Sequence, residues 1–284
     1  MLGIAPYMLA RYAHNRDQYY KVFRVPKSSG IGVRTIAAPC REFKGIQRWV
    51  IRYVLDHVSL HENAMAYRSG LSIYDNAQQH IQQEFVLNLD IRNFFPSITD
   101  QRIYGMFLSL DYSQSVSWLL TRLVTYRGRL PQGAPSSPMI SNIICRRLDM
   151  RITAYADLYE WRYTRYCDDI TISGAGSLGW AIKFVSTMIS DEGFEVNRQK
   201  VRVARRGKSQ RVTGLVVNDD VKVPRVRRRQ IRSLFYHASQ SPNEYLGRYS
   251  EMCGLYSFLK MIDPDDASLS AYKEVLEEME KVSY

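Results

Sequence analysis

The chain has 284 residues, 45% of them apolar, which is enough for one large domain or two to three subdomains and excludes wholesale disorder. Its net charge of +11 is concentrated: from Arg198 to Arg232 stand thirteen Lys/Arg against two acids, Asp219 and Asp220, while the rest of the chain carries 26 of each sign. A basic segment on an otherwise balanced chain points to a polyanion, nucleic acid first, and argues against a solvated face, which would carry more interspersed Glu and Asp. Four separated cysteines, Cys40, Cys145, Cys167 and Cys253, form no C-x-x-C pair, so neither a zinc site nor a disulfide framework is indicated and a reducing compartment fits. The N-terminus lacks the charged and apolar regions of a signal peptide, and no stretch approaches the ~20 apolar residues that span a bilayer. A cytoplasmic chain with no membrane partner is expected.

In chain order, "YYKVFRVPKSSGIGVRTIAAP" predicts two short strands around a Ser-Ser-Gly-Ile-Gly turn. "REFKGIQRWVIRYVLDHV" places Phe43, Ile46, Trp49, Val50, Tyr53 and Val54 at helical period. "EFVLNLDI" reads as a central strand, and "TDQRIYGMFLSL" as a helix capped by its Thr. After Pro138, "MISNIICRRLDMRITAYA" is helical. "YEWRYTRY" and "DITIS" then form a hairpin with Cys167 and Asp168 near its tip. "SLGWAIKFVSTMISDEG" predicts an amphipathic helix ended by Gly193, and "QRVTGLVVNDDVKVPR" returns to strand and turn. Helices dominate from Val226. Tyr272, Val275, Leu276, Met279 and Val282 stripe the last one, which serves packing alone. The pattern is α+β: a small antiparallel sheet backed by helices, then a helical C-terminal part.

The chemistry centres on carboxylates. Asp90 ends an apolar strand, while Asp168 and Asp169 sit side by side at a hairpin tip, where repulsion and desolvation both oppose them. If the two elements are sheet neighbours, three carboxylates converge. Magnesium takes such oxygen ligands, and two ions about 4 Å apart activate an attacking hydroxyl and neutralise a leaving pyrophosphate. An isolated Asp-Asp pair is most often a surface turn. The aromatic, strand-like setting and four further segments separate this one from that class.

Those segments resemble reverse transcriptases. "YCDD" is similar to their Tyr-x-Asp-Asp box, and "LDIRNFF" to the first palm motif, an Asp followed five positions later by an aromatic. "LPQGAPSSPMISN" matches Gln-Gly-x-x-x-Ser-Pro-x-x-x-Asn through Gln132, Gly133, Ser137, Pro138 and Asn142, and "GFEVNRQK" the next motif through Gly193, Asn197 and Lys200. The resemblance runs over roughly residues 20–260. "DNAQQH", with Asn76, Ala77 and His80, and the triplet Val212 to Gly214 resemble motifs of the retron enzymes of bacteria. Cys167 departs from the commoner Ala but removes no acidic side chain.

The resemblance implies a right-hand polymerase: N-terminal helices and fingers over 1–80, a palm over 81–218 with part of the fingers interleaved, and a helical thumb over 219–284. It implies metal binding and catalysis by Asp90, Asp168 and Asp169 on two Mg2+ ions, with Mn2+ as the substitute, and assistance from Lys200 at the leaving pyrophosphate. Arg34, Phe95, Gln132 and Gly133 are the expected nucleotide-binding residues, with Phe95 under the sugar as a gate against the 2′-hydroxyl. Asn76 and His80 are expected to hold RNA directly or by shaping the fold. Arg225, Arg228, Arg229 and Arg232 would grip a template–primer duplex from a helix whose buried side is Val226, Ile231, Leu234 and Phe235.

The implied partners are a noncoding RNA serving as template and primer, deoxynucleoside triphosphates, the RNA–DNA hybrid product and a separate effector protein. The implied reaction copies RNA into single-stranded DNA from a guanosine 2′-hydroxyl, giving a branched molecule used in anti-phage defence. The segment after the thumb is too short for a ribonuclease H domain, so template removal is expected to need another enzyme. The rival readings are an intron-associated or diversity-generating reverse transcriptase, and an idle RNA-binding scaffold.

Overall fold

The computed structural model describes residues 4–26 and 32–282. Strands β1 (Tyr20–Pro26) and β2 (Val33–Pro39) pair antiparallel, Tyr20 opposite Pro39 and Pro26 opposite Val33. The Ser-Ser-Gly-Ile-Gly turn expected between them falls mainly outside the described residues. Strands β3 (Phe85–Asp90), β4 (Arg162–Tyr166), β5 (Asp169–Gly174) and β6 (Arg202–Arg205) form a four-stranded sheet in the order β4-β5-β3-β6. The apolar segment read as a central strand is therefore an internal one. Strands β7 (Arg211–Val212) and β8 (Leu215–Val216) make a minimal hairpin. Its two turn residues, Thr213 and Gly214, both have positive φ, the conformation that a two-residue turn between twisted strands requires.

Helices over Pro6–His14, Ile73–Gln78 and Gln114–Val124 are additional to those expected; the expected ones form with two differences. The helix Arg41–Val50 widens into a π-helical turn over Ile51–Leu55, which the regular spacing of its apolar residues does not reveal. The helix Ala181–Asp191 starts after Trp180, four residues inside the segment read as helical. Thr99 caps Asp100–Ser109 as expected, its Oγ1 accepting from the Arg102 N–H. Pro138 stands in the first turn of the long helix Ser137–Asp157, where no backbone donor is lost.

The described chain divides into two compact units that cut across the palm segment read from sequence. The first comprises residues 1–69, 88–172 and 177–202. Within it Phe43, Ile46 and Leu123 pack with Ala13, ringed by Tyr12, Tyr19 and Tyr20. The second comprises residues 70–87, 173–176 and 203–284. Its core gathers Val86, Val212, Leu215, Val217, Ile231 and Phe235 with Met252, Leu259, Leu276 and Met279. Phe235 stacks on Tyr272 at 4.2 Å, so the last helix does pack by its apolar stripe. No helix among the described residues is long and apolar enough to cross a membrane.

Candidate active site

The chain reverses sharply between β4 and β5, and Cys167 makes that reversal in the left-handed region, φ +61°. The next two residues are Asp168 and Asp169. The Asp168 carbonyl accepts from the Ile91 N–H at 2.9 Å, which brings the hairpin tip beside the end of β3. From the other side the Asn197 N–H donates to the Asp90 carbonyl at 2.8 Å and the Arg92 N–H to the Glu195 carbonyl at 2.7 Å. Backbone hydrogen bonds thus draw three sequence-distant segments, around residues 90, 168 and 197, into one place.

The side chains of Asp90, Asn197 and Lys200 meet there, with Asp168 and Asp169 within electrostatic reach. Asp90 is buried, and its carboxylate accepts from Asn197 Nδ2 at 3.1 Å and from Lys200 Nζ at 2.5 Å. Lys200 reaches Asp90 because its own N–H closes a tight turn onto the Asn197 carbonyl. Burial would lower the Lys200 ammonium, but the Asp90 hydrogen bond and the charges of all three aspartates hold it above its ordinary value. Burial, then the nearby Asp90 charge, raises the Asp168 carboxyl. Asp169 keeps an exposed edge, yet desolvation by the protein around it, the adjacent Asp168 and then Asp90 raise it to about 6, with Lys200 and Arg34 opposing. The three expected aspartates and Lys200 therefore share one electrostatic environment, with more negative charge than Lys200 neutralises.

Among the described residues no three His, Cys, Asp or Glu side chains are gathered as a ligand cluster. Lys200 and Asn197 hold Asp90 instead. The donor chemistry nevertheless fits a hard divalent cation: the acidic groups supply oxygen donors, and burial followed by like charge disfavours the ionised forms of Asp168 and Asp169 while no cation is bound.

Beside this cluster lies a cavity of about 420 Å³, lined in part by Tyr67, Phe95, Gln132, Gly133, Lys44 and Arg48. Three of the expected nucleotide residues are thus brought to one concave site. Phe95 is half-buried on its wall, whereas Phe94 is buried in the core and stacks near Phe194. The Gln132 carbonyl accepts from the Ala37 N–H at 2.8 Å, tying this loop to β2. That approach is so close that a Cβ on Gly133, at φ +119°, would stand 2.7 Å from Ile36 Cγ2. Arg34 lies on the exposed part of β2 and does not line the cavity.

Lys44, Arg48 and Tyr67 went unread in the sequence. The two cations lie one helical turn apart, and that spacing was the available signal. Tyr67 carries no motif, and its hydroxyl finds Cys167 Sγ at 3.3 Å only through the fold.

In the second unit Asn76 and His80 are fully buried, and His80 Nδ1 lies 2.7 Å from Ser173 Oγ. Both side chains are enclosed by protein, a placement suited to shaping the fold. On the helix Arg225–Gln240, Ile231, Leu234 and Phe235 are buried as expected. Val226 is not: it is 64% exposed, because the first helical turn stands clear of the core. Arg225, Arg229 and Arg232 are exposed, but Arg228 is engaged by Asp263 at 3.1 Å and Asp266 at 2.8 Å.

A left-handed turn carrying two aspartates near a third, beside a cavity with an aromatic wall and a close-packed Gln-Gly loop, is the arrangement expected of a template-directed polymerase. The family described as reverse transcriptase (RNA-dependent DNA polymerase) matches residues 25–248, and the chain belongs to it. Its relatives place it with the retron enzymes. It is 36% identical to Retron Ec86 reverse transcriptase of Escherichia coli over 88% of this chain and 78% of that one. To Retron Mx65 reverse transcriptase of Myxococcus xanthus it is 34% identical, over 94% and 67% respectively. Among solved structures it is similar in fold to telomerase from Candida albicans in complex with a fragment of telomeric RNA. There the TM-score is 0.53 at 10% identity, covering 96% of this chain and 66% of that one. The chain is an RNA-directed DNA polymerase, of a family that uses divalent metal ions and an RNA template.

Proposed function

We propose that this polymerase copies a partner noncoding RNA into single-stranded DNA, with Asp90, Asp168 and Asp169 holding two Mg2+ ions. The observation that carries the site reading is the backbone pairing that sets the Asp168–Asp169 turn beside Asp90, the Ile91 N–H donating to the Asp168 carbonyl at 2.9 Å. When bound, the cations supply Lewis acidity at the reacting phosphate. The chain's own groups position the reactants. Phe95, Gln132 and Gly133 seat the incoming deoxynucleotide, with the Phe95 ring set against a ribose 2′-hydroxyl. Lys44 and Arg48, and Arg34 from β2, supply cations for the triphosphate. Lys200 neutralises or protonates the departing pyrophosphate. Arg225, Arg229 and Arg232 grip duplex phosphates.

The retron relatives support the finer reading: a guanosine 2′-hydroxyl primes synthesis, the product is a branched RNA–DNA molecule, and a separate effector completes an anti-phage system in the cytoplasm. The test is expression with native flanking DNA and recovery of the bound nucleic acid. A short DNA joined at its 5′ end to RNA through a debranching-sensitive 2′ linkage is the expected product. Unbranched RNA alone would overturn the retron priming reading, and extension of an added template–primer would then show whether polymerase activity stands without it.

A further inference from the structure

Behind the aspartate turn lies a buried polar network that the proposed chemistry does not use. Arg165, the residue before Tyr166 and Cys167, is fully buried, as is Asp149 on the long helix Ser137–Asp157. Arg165 Nε donates to Asp149 Oδ1 and Nη2 to Asp149 Oδ2, both at 2.7 Å, a two-point fork. The Tyr163 hydroxyl donates to Asp149 Oδ1 at 2.6 Å. The remaining arm, Arg165 Nη1, donates to Asn142 Oδ1 and to the Cys167 carbonyl, each at 3.1 Å. Asn142 is fixed in turn, its Nδ2 donating to the Ala66 carbonyl at 2.9 Å. The Arg165 backbone is pinned on both sides, its N–H to the Asn63 carbonyl and its carbonyl to the Met65 N–H.

Every anchor but one serves to immobilise the guanidinium. The exception, the Cys167 carbonyl, belongs to the residue whose left-handed backbone turns the chain into Asp168. A non-glycine residue holds that conformation only where its surroundings demand it. We propose that Arg165 is a positioning residue of the active site: locked by Asp149 and Asn142, it holds the Cys167 carbonyl and so fixes the turn that presents Asp168 and Asp169. This gives Asn142, a motif residue with no place in the chemistry, a physical task. A lysine would keep the charge but lose the planar fork that reaches Asp149, Asn142 and Cys167 together.

The inference rests on Asp168 and Asp169 being the working carboxylates, and its test carries that reading separately. The full chain, as Arg165→Lys and as Asn142→Ala, is assayed on poly(rA)·oligo(dT) for kcat, KM for dTTP and half-saturating Mg2+, with duplex Kd by anisotropy and melting by circular dichroism. Arg165→Lys is expected to lose tenfold or more in kcat and to need several-fold more Mg2+, with KM and duplex Kd unchanged. Asn142→Ala, which strands no charge, is expected to shift the same two quantities by a smaller factor. A folded Arg165→Lys with wild-type kcat and Mg2+ requirement would overturn the proposal. If that variant does not fold, a folded Asn142→Ala with wild-type values does so, and failure of both to fold reduces the network to a folding determinant and also overturns it. Asp169→Asn is the control: synthesis surviving there places the fault in the site assignment rather than in Arg165.

Discussion

Lys200 donates from Nζ to Oδ2 of Asp90 at 2.5 Å, while Asn197 holds the other oxygen of the same carboxylate. In the free protein the ammonium would therefore compete with a cation for Asp90. Removing it by Lys200→Met should act in two opposed directions. Metal binding to the free protein, measured by calorimetry with Mn2+, should tighten, because a competing cation is gone. Synthesis should nevertheless slow by about 100- to 1,000-fold in kcat, the scale on which a preorganised donor acts in a closed site. Weaker Mn2+ binding by the variant would mean that Lys200 organises the carboxylates rather than competing for them.

Asp168→Asn and Asp169→Asn separate chemistry from binding. Each removes one negative charge from a site with an excess of it, so neither should unfold the protein. Synthesis is expected to fall to background while RNA retention on a filter stays within a few-fold of the parent. Undiminished synthesis by either variant would sink the assignment of that carboxylate.

Two adjacent phenylalanines make an internal comparison. Phe94 is buried at 4% exposure, so Phe94→Ala should cost about 3–5 kcal/mol of stability and lower the melting temperature. Phe95 is only half-buried and faces the cavity. Phe95→Ala should cost less stability and raise the relative incorporation of ribonucleotides. An unchanged ratio of ribo- to deoxynucleotide incorporation would remove the gate role.

How far the sequence disclosed this site depended on the range of the interaction. The hairpin around residues 162–174 was legible because apolar alternation and a polar tip are local signals. Asp90 was legible because it ends an apolar run. The network at Arg165 was not, since its partners lie 16 and 23 residues away and each alone resembles an ordinary helix residue. Val226 was misread for the opposite reason: a helical stripe shows which face is apolar but not where along the helix the core begins. The two compact units were hidden because each is assembled from discontinuous segments.

Gly133→Ala tests the close approach between the Gln-Gly loop and β2. The added methyl would stand 2.7 Å from Ile36 Cγ2 and 3.2 Å from the Ala37 carbonyl, at a φ of +119° that a side chain resists. The loop must move, and the cavity wall with it, so KM for deoxynucleotides should rise about tenfold or more. Combining it with Ile36→Ala relieves the nearest clash but neither the carbonyl contact nor the backbone angle, so recovery should be partial. Full recovery would show that the side-chain clash alone made glycine necessary.

The buried thiols set an alkaline limit. Burial pushes Cys145 up to about 12 from an ordinary 9.0, and burial also raises the Tyr163 phenol well above its ordinary 10.0. Between the unfolded and folded values the unfolded chain has released these protons while the folded chain keeps them. The folded state then binds more protons, so stability must fall with rising pH. The contribution is fully present below about pH 9 and is lost progressively above it. Urea midpoints taken from pH 8 to 10.5 should decline for the parent and decline less for Cys145→Ala, once each is referenced to its own value at pH 8. The same burial predicts thiol reactivity at pH 8: Cys40 and Cys253, partly exposed, should react with Ellman's reagent in the native protein, and Cys145 and Cys167 only after unfolding. Rapid native labelling of all four would show that the helix Ser137–Asp157 and the aspartate turn open far more readily than their packing implies.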